Sequence, residues 1–490
     1  MLTSSRSRLS YETVVAVVYV AGMFMNIMDS TIVNTALPAI ARTFRATPAT
    51  ADGVAVGYLL SLAVFIPASG WVGDRIGTKR TFLAALALFT AASALCGRAL
   101  SLTELVLFRV IQGMGGGMLA PVGQAMLFRA FPPERRARAS AVLMLATVLA
   151  PATGPVIGGW LVTDLSWRWV FYVNVPIGLA ALLFGALQLR EHREPAAGRF
   201  DLPGFALTGV GLPLVLYALS EGPRRGWTSP GVAASGIVGL LALVLLVRTE
   251  KTRPEPMLTL RLFRDRLFRT TNVVSFLGSA AFFGILFVMP QFLQEARGAT
   301  ALSSGLTTFP EAVGVILSSR VVGRLYHTVG PRRLMVTGLV WVSAAAAAMT
   351  RVDLATSPWL IRGLMFAVGV GWAGVVLPLQ AASFARVSPA DTGRAAALFN
   401  TQRQVASAVG VAVLATVLAA RLPHAMPLPS AVEVPAFHLT FVVAAVLALA
   451  GAVGALGVRD ADAAATMQPA RSAGGARPRR SVSLTKSTDS

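Results

Sequence analysis

Apolar stretches long enough to cross a bilayer recur fourteen times in this chain, and no other feature limits its possible folds as severely. They fall at about 13–36, 52–73, 81–100, 102–128, 140–162, 169–188, 203–220, 230–248, 270–293, 301–321, 333–350, 358–384, 394–419 and 436–457. Roughly 20 apolar residues make one helical crossing. With 55% hydrophobic and only 13% charged residues in 490, no water-soluble surface can be assembled, which excludes a soluble enzyme. The expectation is an all-α polytopic membrane protein. Asn26 and Asp29 lie inside the first run, so it reads as a retained, packed helix rather than a cleaved leader.

The net charge is +21, from 43 Lys and Arg against 22 Asp and Glu. The bases sit between apolar runs, as membrane topology requires, so the excess does not point to nucleic acid. One set of alternate loops holds Arg75, Lys79 and Arg80, then Arg129, Arg135, Arg136 and Arg138, then the cluster from Arg248 to Arg269. The other loops are poorer in bases, so both termini are expected in the cytoplasm of a cell whose inner (plasma) membrane holds the chain. Cys96 stands alone, and four scattered histidines show no ligand spacing, so neither a disulfide nor a metal site is expected. Residues 458–490, rich in Ala, Ser, Arg and Pro, read as a disordered tail.

An internal repeat organises the chain. Gly70, Gly77, Lys79 and Arg80 return 253 positions later as Gly323, Gly330, Arg332 and Arg333, and the same displacement carries Arg109 onto Arg362 and Gly116 onto Gly369. Two six-helix bundles of equal orientation are implied, over 1–190 and 256–457, with two inserted helices within 191–255. Parallel repeats about an axis along the membrane normal are an architecture of alternating-access transporters.

A charge in hydrocarbon costs at least about 2.5–3.5 kcal/mol, so each intramembrane ionisable group needs a partner or a task. Asp29 and Arg109 each lie about seven residues from the same membrane face, roughly 10 Å deep. They are expected to face one central cavity, where Arg109 favours the charged carboxylate and apolar surroundings oppose it, leaving Asp29 able to exchange a proton. A permanent ion pair is the competing reading. Glu311, after Pro310, falls near the midplane, where a carboxylate could bind a cation or carry a proton. Asn400, Arg403 and Gln404 form one polar helix face with Gln402, either a cavity wall or a bond between halves, and Asn34 and Gln112 are further polar candidates. Arg362 is near enough to a helix end for its side chain to reach the interface. The Gly113–Gly117 run lacks the ending of a phosphate loop and is assigned to helix packing.

Several stretches are similar to signatures of one family. Gly70-Trp-Val-Gly-Asp74-Arg75-Ile-Gly77-Thr-Lys79-Arg80 resembles the loop motif of the major facilitator superfamily, and Arg109-Val-Ile-Gln112-Gly113 its fourth-helix motif. Pro151-Ala-Thr-Gly154-Pro155-Val-Ile-Gly158-Gly159 resembles its antiporter motif, although Ala150 stands where glycine is usual. The stretches Met28 to Pro38, Trp167 to Pro176 and Phe399 to Gln404 are similar to signatures of the fourteen-span drug:proton antiporter branch.

The resemblance implies a major-facilitator fold and a latch for the outward-facing state at Asp74, Arg75 and Arg80, spaced by Gly70 and Gly77. It implies one latch only, because His327 and Thr328 replace the Asp-Arg pair in the second copy. It also assigns Pro151, Gly154, Pro155, Gly158 and Gly159 to antiport, as small residues that let helices approach closely. The expected activity is proton-coupled export of hydrophobic or cationic drugs by a monomer in the lipid bilayer, with small molecules and protons as partners. No cofactor beyond the proton gradient is expected. An exporter dedicated to one host metabolite or self-made antibiotic, and a membrane sensor that does not transport, are the alternatives.

Overall fold

The computed structural model describes residues 10–135, 139, 150, 153–154, 157–194, 199–253, 256–421 and 434–467, and no strand occurs among them. The helices are α1 (Tyr11–Phe44), α2 (Gly53–Ile76), α3 (Thr78–Arg98), α4 (Leu102–Ala130), α5 (helical over 157–164) and α6 (Trp169–Gln188). Then come α7 (Leu202–Arg225), α8 (Pro230–Thr252), α9 (Arg266–Gln291), α10 (Pro310–Val329) and α11 (Pro331–Met349). The last crossings are α12 (Pro358–Ser383), α13 (Thr392–Ala419) and α14 (Val434–Ala455). Each expected span coincides with a helix, the fifth only in part within the described residues. Eleven of the described helices are long and apolar enough to cross a membrane.

Local chemistry sets several of the boundaries. Ser10 caps α1 by accepting from the Thr13 N–H at 3.2 Å. Ser101 accepts from Glu104 N–H at 3.1 Å while the Glu104 carboxylate accepts from Leu100 N–H at 2.9 Å, a reciprocal cap that starts α4. The tenth crossing departs from expectation. A short helix, Ala301–Thr308, leads into α10, and the helix runs on to Val329 rather than ending near 321. Pro310 has no N–H to donate, so the ladder is interrupted there, while Arg320 and Arg324 end the apolar run without ending the helix.

Packing reproduces the repeat. In the first bundle α4 lies against α2 and α3, and in the second α12 lies against α10 and α11. Each bundle also closes on itself in the same way. Gly77 (φ +113°) and Gly330 (φ +86°) turn the chain sharply before α3 and α11, a conformation that suits glycine. Beside each sits a carboxylate from the segment that follows that bundle's last helix. Glu191 accepts from the Lys79 N–H at 3.0 Å, and Asp460 accepts from the Arg332 N–H at 2.9 Å, each stabilising a helix N-terminus. The first residues of the expected tail are instead folded. Residues 460–463 form a helical turn and α15 (Ala464–Met467) follows, with Val458, Ala463 and Thr466 buried and Thr466 sharing a hydrogen bond with Tyr326 at 2.7 Å. The rest of the expected tail lies outside the described residues.

The bundles meet mainly where α13 lies on α2 and α4, and α7 touches both sides by packing on α2 and α13. The face carrying the described chain ends is called the tail face below.

Candidate functional site: a sealed charge network and a contact between bundles

Glycines bring the backbones of three helices together around one charge. A β-carbon at Gly113 would lie 2.5 Å from the Tyr58 carbonyl oxygen on α2, and one at Gly115 2.6 Å from that of Ala85 on α3. The expected packing role of this run holds. The close approach aims Arg109 and Gln112 at α1, where Arg109 forms an ion pair with Asp29. Arg109 also donates to Gln112 Oε1 at 2.8 Å and to the Val54 carbonyl at 3.2 Å, and lies over the Tyr58 ring at 4.0 Å. The Gln112 amide and the Asn174 amide each donate to Asp29 Oδ1 at 2.9 Å. A further layer holds these groups. Asn174 donates to Ser93 at 3.1 Å, and Tyr58 donates to Asn26 Oδ1 at 2.6 Å.

The expected meeting of Asp29 and Arg109 occurs, but not on a cavity wall. Their side chains are 0% and 1% exposed, sealed among α1, α2, α4 and α6. The reason is packing: the glycines of α4 leave no gap for water, and amides occupy the positions that water would take. The Asp29 carboxylate accepts from three side chains, and water can reach it only if that shell opens.

The loop motif divides between two tasks. Gly70 and Asp74 meet the other bundle. A β-carbon at Gly70 would lie 3.0 Å from the Gly393 carbonyl oxygen, and the Asp74 carboxylate sits against Gly393 in the first turn of α13. Arg129 donates to Asp74 at 3.0 Å and to the Pro389 carbonyl at 3.4 Å, so it ties α4, α2 and the segment before α13 together. Phe128 and Phe384 close the same region with ring centroids 4.6 Å apart. Arg80 behaves differently from the latch expectation. Its guanidinium pairs with Glu191 of its own bundle at 3.6 Å, because the carboxylate capping α3 is the nearest anion. Arg75 is exposed and forms no ion pair among the described residues, and Gly77 packs on Glu191.

In the antiporter-motif stretch, Pro151 and Pro155 lie outside the described residues. Gly154 and Gly158 press directly on α1, at Thr31 and Thr35, within the first bundle. Gly159 has nothing within 4 Å of where a β-carbon would be, so the close-packing expectation fails there. Gly154→Ala is therefore expected to destabilise the purified protein by about 1–3 kcal/mol, whereas Gly159→Ala should stay within about 0.5 kcal/mol of the parent. Thermal melts in detergent check both, and equal shifts would remove the distinction.

The remaining candidates scatter. Asn400 donates to Gln124 Oε1 across the bundle interface at 2.5 Å and accepts from Arg403 at 3.3 Å, which realises the bond between halves. Gln404, one turn further along α13, lines a cavity that extends toward the face opposite the tails. Asn34 is exposed, away from the charge network. Glu311 is partly buried in the first turn of α10 and forms no ion pair among the described residues, while its carbonyl presses on Gly369 of α12. Arg362, the repeat partner of Arg109, stacks on Trp359 at 4.5 Å near a helix end, in keeping with the interfacial reading. Sequence reasoning passed over Gln124, Arg129, Tyr58 and Asn174 as site residues. Of these, Asn174 carried a signal, an amide inside one of the family-like stretches.

Two repeated bundles that meet along α2, α4 and α13, one with a charge locked in its core, define a multi-pass membrane transporter rather than an enzyme. The Major Facilitator Superfamily profile matches residues 19–411, and the chain belongs to that superfamily. The Multidrug resistance protein B homolog of Mycobacterium tuberculosis is 32% identical over 414 residues, 83% of this chain and 76% of that protein. The multidrug transporter protein MdtP of Bacillus subtilis is 30% identical over 426 residues, 86% of this chain and 78% of that protein. The putative multidrug resistance protein MdtD of Yersinia enterocolitica is 34% identical over 352 residues, 71% of this chain and 74% of that protein. The crystal structure of the human organic anion transporter MFSD10 (TETRAN) matches with a TM-score of 0.62 over 89% of this chain and 99% of that one. At 16% identity this is a likeness of fold alone.

Proposed function

We propose that this transporter exports hydrophobic and cationic drugs or antibiotics in exchange for protons, as a monomer in the bacterial inner membrane with its tail face in the cytoplasm. Bundles spanning 1–190 and 256–457 rock about a site between them, the helices of 191–255 join them, and no cofactor is needed beyond the proton gradient. The observation that carries this reading is the Asp29 carboxylate, enclosed by Arg109, Gln112 and Asn174. A rearrangement that withdraws those donors opens the carboxylate to water and protons, so proton uptake is tied to conformation. Relatives named for multidrug resistance support the cargo class. The contact of Gly70, Asp74 and Phe128 with the second bundle closes the tail face, which with that face in the cytoplasm is the outward-facing state.

Everted vesicles test the reading. Ethidium should accumulate in acid-loaded vesicles, its addition should release protons from the lumen, and collapsing pH and voltage gradients together should stop both. Undiminished uptake without gradients would end the proposal. Glu311→Gln is expected to slow ethidium uptake about tenfold, the equivalent of about 1.4 kcal/mol, and to leave uncharged cargo within about a factor of two. Equal loss for both cargoes would contradict a charge-reading Glu311.

A further inference from the structure

The inserted helices have no counterpart in the repeat, yet α7 is fastened to both bundles at the face opposite the tails. Arg224 reaches Asp52, just before α2, at 3.4 Å, and Trp227, beyond the end of α7, donates its indole N–H to Thr416 of α13 at 3.2 Å. Adjoining these fastenings is a cavity of about 430 Å³, walled by α2, α7, α9 and α13. Its lining follows α13 from Gln404 to Ala419, a run of roughly 22 Å at 1.5 Å per residue. The shape is thus a slot, leading from the depth of the Asn400 and Arg403 patch toward the far face.

The walls select by chemistry. Leu59, Leu216, Ala412, Ala415 and Leu418 are apolar, and Tyr217, Gln291, Gln404 and Ser407 supply uncharged donors and acceptors. Among the described residues no carboxylate lines the slot, so a cation entering it would find no counter-charge there. The charged lining residue, Arg224 at the rim, is already paired with Asp52. Volume and mixed lining fall in the range of small-molecule sites.

We propose that this slot binds an uncharged, elongated apolar molecule bearing hydrogen-bonding groups, and that α7 is the wall that determines which molecules fit. That the occupant is cargo on its way out rests on the export reading above; that the slot binds such a molecule does not.

Equilibrium binding to the purified full chain in nanodiscs, with no gradient and with empty nanodiscs as blank, tests it using Nile red as an uncharged probe and ethidium as a cation. Filling the slot from two of its walls, by Ala415→Leu on α13 and Ser220→Leu on α7, should each weaken Nile red binding about tenfold. Leu240→Phe on the exposed face of α8 should leave it unchanged, and ethidium binding should not respond to the filling. Unchanged Nile red affinity in both filled variants would overturn the proposal. Loss of ethidium binding in parallel would overturn the uncharged class. Should the export reading alone fail, the variants would still lose Nile red while the parent moved no cargo with a gradient.

Discussion

Asp29→Asn is expected to reduce export to the level of vesicles lacking the protein and to destabilise the fold at the same time. The substitution leaves the Arg109 guanidinium buried without its anion, and breaking one side of a buried pair costs about 3–5 kcal/mol. Loss of function by this variant alone would not separate structure from proton coupling. The double variant Asp29→Asn/Arg109→Gln does. It removes both charges and keeps amides able to bond Gln112 and Asn174, so most of the stability should return. Export should not, because no carboxylate is left to take up a proton. Thermal melts and vesicle uptake, measured on the same preparations, read the two effects. Gradient-driven uptake by the double variant at the parent rate would show the pair to be merely structural.

Asp74→Asn is expected to open the tail face. The negative charge that it removes faces both the Arg129 guanidinium and the first turn of α13, and its Arg129 hydrogen bond is of the class worth about 1.5–3 kcal/mol. A bias of about 1.4 kcal/mol shifts a two-state population tenfold. Spin labels at Ile76→Cys and Ala390→Cys, in a Cys96→Ser background, report the separation of α2 from the segment before α13 by double electron–electron resonance. The short-distance population should fall about tenfold relative to the long one, with a matching drop in export. Arg80→Gln, whose guanidinium pairs with Glu191 of its own bundle, should leave the distances unchanged. An unaltered distribution in Asp74→Asn would show that the carboxylate does not hold the bundles together.

The depth of a side chain was legible in the sequence because helical rise is fixed, and on that ground Asp29 and Arg109 could be matched before any contact was known. Their enclosure was not. It depends on glycines of α4 meeting the carbonyls of α2 and α3, and on an amide, Asn174, arriving from α6. The repeat was legible from Gly70 and Gly323 because glycines mark where backbones touch or turn. The partner of Arg80 was not, because a guanidinium takes the nearest anion and sequence does not say that Glu191 folds back beside it. Asn400 could be placed on a polar face, but its bond to Gln124 joins residues 276 positions apart. The start of the tail, residues 458–467, was misjudged from composition. Val458, Ala463 and Thr466 have too little apolar area to stand out, yet they fit a prepared surface beside Tyr326.

The fold-back of Glu191 onto the turn at Gly77, matched by that of Asp460 onto the turn at Gly330, bears on how the molecule is made. Each clasp joins an early turn to residues beyond the sixth crossing, so neither can fasten until all six have left the ribosome. The first half can then mature while the second is still being translated, since domains generally assemble in the order of synthesis. Truncation just before Glu191 would leave six hydrophobic crossings whose ring has no fastener, a natural substrate for membrane quality-control proteases.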